Sequence, residues 1–254
     1  MQERSKTFII ATTGDRFDGL KRLVISLFPF FKTGWTAVIV AQSYSDKDLS
    51  EIKRLTGKNA DIIKKNYLIG AHSAKMIALN YTKSEIWCSL DDDMIATQST
   101  DYDQVADILR CNKNIGFISG NWARTQKQAN AKKVVNELVP QKLVYTGGGL
   151  LFREDVAEII RNIPNEQYLF DDCLWAMYAY INGYSNYRFR GSIAVHQICT
   201  VGGRKSWLKE RKDRVLPPNE FLKVRKSKDS EGYFICNDRD LTDLAKELHE
   251  RNKK

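Results

Sequence analysis

No run of eighteen or more apolar residues occurs in the 254-residue chain, so none of it has the length of a membrane-spanning helix. Cysteine is scarce and scattered. The five residues, Cys88, Cys111, Cys173, Cys199 and Cys236, form no Cys-x-x-Cys pair and are odd in number, which excludes a zinc site or a disulfide framework and leaves reduced, mostly core cysteines. The opening MQERSKTFIIATTG is too short in its apolar part for a secretory signal, and we expect a soluble, cytoplasmic protein. No Gly-Lys-Ser/Thr follows the glycine run Gly147, Gly148 and Gly149, so that run is not a phosphate-binding P-loop.

With 43% hydrophobic residues, a chain of this length buries a substantial core and fits one large domain, or a domain with an appendage. Its charge is unevenly spread. Of the formal +9, +7 lies between Gly202 and Lys228, where ten bases face three acids, leaving +2 for the rest. A concentration of this kind marks a phosphate or polyanion contact, or else a solvated charged stretch. Trp207, Leu208 and Phe221 inside it favour a segment that is ordered, or that a ligand orders.

Strand-like and helix-like patterns alternate along the chain. Thr7–Ala11 reads as a buried strand followed by the polar loop TTGDR, and Gly19–Phe28 has Leu20, Leu23, Val24 and Leu27 at helical spacing. Thr36–Gln42 suits a parallel strand. Asp46–Leu55 reads as a helix capped by Ser45 or Asp46 and stopped by Gly57. Ala60–Lys64, His72–Asn80 and Ile86–Leu90 continue the series as strand, helix and strand. Three successive β-α units predict an open α/β sheet that binds its ligand beyond the carboxyl ends of the strands. TTGDR and the triplet Asp91, Asp92 and Asp93 both fall there. Farther on, Leu241, Leu244, Ala245 and Leu248 predict a closing helix, with Tyr233–Cys236 as a small edge strand before it.

Three adjacent aspartates need full solvation or a cation, because neighbouring carboxylates raise one another's pKa. Following a core strand, the Asp-x-Asp spacing of Asp91 and Asp93 offers hard oxygen ligands suited to Mg²⁺ or Mn²⁺, which in turn can hold a diphosphate. Glycine in a strand costs backbone entropy, so the run at Gly147, Gly148 and Gly149 predicts either a close approach of sugar or acceptor, or a turn or bulge.

In the order of its pieces, the chain resembles the GT-A class of nucleotide-sugar glycosyltransferases over most of residues 6–200. The resemblance rests on the first strand with its polar loop, on GAHSAKMIALNYTKSEIWCSLDDDM, on YTGGGLLFRED and on YLFDDCLWAMYAYINGY. It implies a GT-A, Rossmann-like open and mostly parallel sheet flanked by helices, with Mn²⁺ or Mg²⁺ as cofactor and a nucleoside-diphosphate sugar, UDP by family frequency, as donor. Asp91 and Asp93 would hold the metal with His196 as a further ligand, a neutral imidazole completing a carboxylate site. Thr12, Thr13, Arg16, Lys75, Asp91, Asp92, Gly148, Arg204 and Lys205 would contact the donor. Asp172 would take the proton of the attacking hydroxyl, with Asp171 as the other candidate; either could instead be the helix N-cap.

The acceptor is read from the basic segment. Trp207, Lys209, Arg211, Lys212 and Arg214 have the composition of a surface that tracks phosphates and stacks an exposed base. The chain is similar to the glycosyltransferases that phages use to decorate hydroxymethylated pyrimidines in DNA, including those associated with TET-type hydroxylases. That resemblance implies a DNA acceptor and, for a phage-encoded protein, action in the host cytoplasm. Two other readings stay open: a peripheral-membrane transferase for a polysaccharide or lipid-linked glycan, with the basic segment on anionic headgroups, and an inactive nucleic-acid-binding module on a transferase fold. As domains we expect a transferase core over 1–200, completed by the basic loop and closing helix of 201–254.

Overall fold

The computed structural model describes residues 3–97, 99–123, 137–141, 149–164, 171–196, 225–226, 234–236 and 239–252. In chain order the strands are β1 (Glu3–Thr13), β2 (Trp35–Gln42), β3 (Ala60–Lys65), β4 (Lys83–Asp91), β5 (Met94–Ala96), β6 (Ile115–Ala123), β7 (Leu138–Gln141), β8 (Leu150–Arg153), β9 (Ser185–His196), β10 (Arg225–Lys226), β11 (Phe234–Cys236) and β12 (Arg239–Asp240). The α-helices are α1 (Phe17–Ser26), α2 (Phe28–Lys32), α3 (Asp46–Thr56), α4 (Ala71–Tyr81), α5 (Ser99–Cys111), α6 (Glu154–Ile160), α7 (Asp171–Ile181) and α8 (Leu241–Asn252).

Nine strands form one sheet in the order β3-β2-β1-β4-β8-β6-β9-β5, with β7 also pairing with β9. The first four are mutually parallel, β8 runs against both β4 and β6, and β6 and β9 are parallel. With β5 and β7 antiparallel to β9, six strands share one direction and three oppose it. Strands β10, β11 and β12 make a separate small sheet, in which Phe234–Cys236 of the predicted strand form β11.

The period of two along the central strands builds two cores, one on each face. Phe8 and Ile10 of β1 join Ala37, Ile39 and Ala41 of β2 beneath α1, α2, α3 and α5, whereas Ile9, Val38 and Val40 point to the opposite face and meet α4, α6, α7 and α8. On the first face Phe8 stacks on Trp35 with ring centroids 4.4 Å apart, and Phe30 and Tyr102 meet them edge-on, which adds aromatic pairing to the area removed from water. Ala245 and Leu248 of the predicted closing helix are buried in the second core with α7.

Local chemistry sets the boundaries. The Asp48 amide donates to Ser45 Oγ (3.1 Å), making Ser45 the N-cap of α3, and Gly57 stops that helix with φ of +55°. The predicted first helix divides in two. Pro29 has no N–H to continue the helical ladder, so α1 ends at Ser26 and the chain restarts as α2 with proline in its first turn. Among the described residues no helix is long and apolar enough to cross a membrane.

Candidate active site

Parallel pairing of β1 with β4, in a register that sets Ala11 beside Asp91, brings the polar loop after β1 and the acidic triplet to one sheet edge. Thr12 and Thr13 end β1, a 3-10 turn over Gly14–Arg16 follows, and Asp91 ends β4. Gly14 is needed here because a Cβ would lie 2.2 Å from the Ser43 carbonyl oxygen, so the turn bearing Arg16 rests directly on the loop after β2. Thr13 Oγ1 donates to Asp15 Oδ1 (2.5 Å) within the same turn.

The three aspartates occupy different environments. Asp92 turns into the protein with a side chain 5% exposed, accepting from Thr12 Oγ1 at Oδ2 (2.8 Å) and from the Arg16 guanidinium at Oδ1. Tyr44 Oη lies 2.7 Å from Thr12 Oγ1, and since Thr12 gives its proton to Asp92, the phenol donates to Thr12. Thr12 and Arg16, expected at the donor with Asp92, thus both bind Asp92 directly, and Thr12 is backed by a tyrosine that sequence reading did not single out. Asp91, by contrast, is 44% exposed and open to a ligand, and Asp93 lies between the two at 18%, with its Oδ2 3.6 Å from Arg16 Nη1.

Lys75 reaches the same edge from α4. Its Nζ lies 2.9 Å from Asp171 Oδ2 and 3.9 Å from Asp91 Oδ1, over the ring of Trp175. Burial by itself would favour the neutral amine. The charges of Asp171, Asp91 and Asp172 overcome it and raise the Lys75 pKa. The start of α4 is set by Gln42, whose Oε1 accepts from the Ile69 and Gly70 amides (2.7 and 3.1 Å), with Gly70 at φ of +84°. His72 is buried, its Nδ1 accepting from Trp175 Nε1 (3.2 Å). The acidic pair opens α7: Asp171 is buried against Lys75, while Asp172 is half-buried and accepts the Cys173 amide at Oδ1 (2.9 Å).

Five carboxylates, Asp91, Asp92, Asp93, Asp171 and Asp172, therefore gather around two cations, Arg16 and Lys75. Although part of the Asp91 side chain stays exposed, the protein packed around its carboxyl withholds enough water to raise its pKa to about 7, with Lys75 opposing the rise and Asp93, Asp172 and Asp171 adding to it. Burial likewise raises Asp92 to about 6, against the pull of Arg16. The surplus negative charge is what a divalent cation would relieve.

The donor set fits such an ion in one particular way. Among the described residues no three histidine, cysteine or carboxylate side chains converge to hold a metal by themselves. Mg²⁺ and Mn²⁺ are commonly held by one or two carboxylates together with substrate phosphates, and Asp91 and Asp93 supply that number of oxygens. His196 ends β9, and the antiparallel pairing of β5 with β9 sets its Cα opposite Met94, next to the triplet.

Gly149 adopts φ of +106°, and a Cβ there would press on Cys88, Tyr102 and Leu90 at 3.1–3.4 Å. Its place in the glycine run is thus explained by a backbone turn packed against the core, the second of the two readings. Gly148, Arg204, Lys205, Trp207, Lys209, Arg211, Lys212 and Arg214 lie outside the described residues.

No known family's sequence profile matches the chain, and no curated protein matches it in sequence. Solved structures do match in fold. The mannosyltransferase PcManGT from Pyrobaculum calidifontis, in complex with GDP-Man and Mn²⁺, superposes with a TM-score of 0.61 at 16% identity over 83% of this chain and 61% of that one. TarS 1-349 of S. aureus gives 0.58 at 18% identity over 76% of this chain and 60% of that one. Its complex with UDP-GlcNAc gives 0.55 at 16% identity. The chain has the GT-A glycosyltransferase fold. It spans less than two thirds of the length of these neighbours, 60% for TarS 1-349 and 61% for PcManGT.

Proposed function

We propose that the protein is a metal-dependent glycosyltransferase that moves a sugar from a nucleoside-diphosphate sugar, UDP-linked, to a hydroxyl, the acceptor being the 5-hydroxymethyl group of a modified pyrimidine in DNA. The observation that carries the transferase reading is the acidic surplus at the carboxyl edge, with Asp91 exposed to a metal-bound diphosphate, Asp93 beside it and Lys75 tying Asp91 to the acidic pair on α7.

Asp91, Asp93 and His196 would hold Mn²⁺ or Mg²⁺ in this reading. When bound, the ion neutralises charge on the departing diphosphate. Asp172 accepts the proton as the acceptor oxygen attacks the anomeric carbon; the new C–O bond forms as the bond from that carbon to the β-phosphate oxygen breaks, and nucleoside diphosphate leaves. Asp171 is the poorer candidate because it is buried and its Oδ2 is engaged by Lys75 Nζ at 2.9 Å, away from an incoming acceptor. Lys75 therefore acts as a positioning group, fixing the first turn of α7 relative to Asp91. Thr12, Arg16 and Asp92 shape the wall against which the nucleotide lies, and Thr13, Gly148, Arg204 and Lys205 complete the donor's surroundings.

The DNA acceptor is supported by the sequence alone, through Trp207, Lys209, Arg211, Lys212 and Arg214 in the basic segment. A hydroxymethyl group on a base is a primary alcohol that needs only a general base, and in a duplex its nucleotide would leave the stack to reach the metal.

The test incubates the protein with Mn²⁺, a panel of UDP- and GDP-sugars, and DNA containing plain or 5-hydroxymethylated pyrimidines, then weighs the digested nucleosides. The expected product is a nucleoside heavier by one glycosyl unit, found only with hydroxymethylated DNA and lost with EDTA. Donor hydrolysis without a DNA product keeps the transferase and moves the acceptor to glycans or lipids. Absence of hydrolysis with every donor overturns the enzyme reading.

A further inference from the structure

Arg16 touches two of the three aspartates with one nitrogen. Its Nη1 is bonded to Asp92 and lies 3.6 Å from Asp93 Oδ2. The contact with Asp92 is anchored from behind, because Thr12 Oγ1 donates to the other oxygen of Asp92 and Tyr44 backs Thr12. The backbone of the turn is anchored as well, by the approach of Gly14 to Ser43. What remains adjustable is the longer contact to Asp93, on an arginine only 15% exposed.

We infer that Arg16 is a built-in counter-ion of the acidic turn, which a divalent metal displaces from Asp93 only with the help of a diphosphate, so that metal and donor bind as a coupled pair. This rests on the donor reading above and adds to it the residue that sets the coupling. A dication approaching Asp93 alone meets a guanidinium already there, in surroundings that screen poorly. A diphosphate offers that guanidinium new acceptors, and its five N–H donors let it turn toward phosphate oxygens while keeping Asp92. By linkage, the factor by which nucleotide tightens metal is the factor by which metal tightens nucleotide.

The test needs no turnover. Free Mn²⁺ is followed by electron paramagnetic resonance in titrations of the full chain, with and without UDP. In the wild type, UDP is expected to tighten Mn²⁺ by on the order of tenfold or more. In Arg16→Gln, Mn²⁺ alone should bind about fivefold tighter than to wild type and the gain from UDP should shrink, the part due to direct metal–diphosphate contact persisting. Arg16→Lys keeps the charge and lacks the fork, and should fall between the two. Circular dichroism checks the fold of each variant; if Arg16→Gln does not fold, Arg16→Lys decides alone, and an affinity for Mn²⁺ equal to wild type overturns the inference. Unchanged or weaker Mn²⁺ binding by folded Arg16→Gln also overturns it, and leaves the donor reading standing. Failure of the wild type to bind Mn²⁺ with or without UDP overturns both.

Discussion

The two ends of the central strands treat carboxylates in opposite ways. At the amino ends each acid has its donors: Asp103 accepts from Lys6 Nζ (2.6 Å) and Trp35 Nε1 (2.9 Å), and Glu154 accepts from the Ser84 amide, Trp87 Nε1 and Arg161. Arg153 spans Asp155 and the backbone carbonyls of Leu109, Asn112, Lys113 and Ile115. At the carboxyl ends five acids share Arg16 and Lys75. One end is closed by the protein's own groups, and the other leaves a charge that a ligand must finish. The first end is tied into the fold, and the second is where the proposed chemistry would take place.

The sharpest way to break this contrast is at the proposed base. Asp172→Asn should lower turnover by about 10²–10⁴-fold while UDP binding, measured by calorimetry, stays near wild type. A loss of UDP binding in parallel would place Asp172 among the donor contacts.

Next in size is Lys75→Met, which leaves Asp171 buried beside no ammonium and should cost about 3–5 kcal/mol in urea unfolding. The double variant Lys75→Met with Asp171→Leu should recover most of that loss, since an apolar pair of similar volume replaces a buried ionic one. No recovery would mean that α4 and α7 are held together elsewhere.

Smaller effects of opposite sign should appear at the two ends. Asp103→Asn removes charge from a satisfied cluster and should destabilise by about 1 kcal/mol without altering turnover. Asp91→Asn relieves a crowded cluster and should raise the melting temperature of the metal-free protein while abolishing metal-dependent turnover. Melting temperatures that fall in both variants would erase the distinction.

A further contrast lies in pH. Asp91 and Asp92, raised to about 7 and about 6, bind protons more readily in the folded chain than in the unfolded one. The metal-free protein should therefore gain stability as pH falls from about 8 to about 5. Glu85, lowered by its hydrogen bonds to Arg110, has the reverse linkage and loses its contribution as pH falls below the ordinary glutamate range. Thermal melts across this range, with EDTA or Mn²⁺, should show the gain only in the metal-free protein.

Much of the first half was legible because its signals are local. Period-two apolar runs, the Ser45 cap and the Gly57 stop brought the elements from β1 to β4 to within a few residues, and the placement of Asp91 followed from its position after a core strand. What was not legible depends on register. That Thr12 and Arg16 turn toward Asp92 follows from pairing β1 with β4 across about eighty residues of chain, and no spacing in the sequence encodes it. Tyr44 entered the same network unannounced, as a lone aromatic in a loop. The insertion of β8 between β4 and β6 was equally hidden, since a four-residue apolar strand looks the same in either direction.

Helix α8 supports the back of α7 through Ala245 and Leu248, and Asn252 donates to both Tyr178 Oη and the Asn162 carbonyl (2.9 Å each). During synthesis α8 follows α7 by roughly 60 residues, a delay of roughly 3 to 12 seconds at common elongation rates. Through that interval a nascent chain already carries the residues of β1 and β4 that form the acidic edge, while the acid-bearing helix beside it still lacks its support. A polypeptide halted between the two helices would present its acidic triplet while Asp171 and Asp172 stood on a helix without its backing.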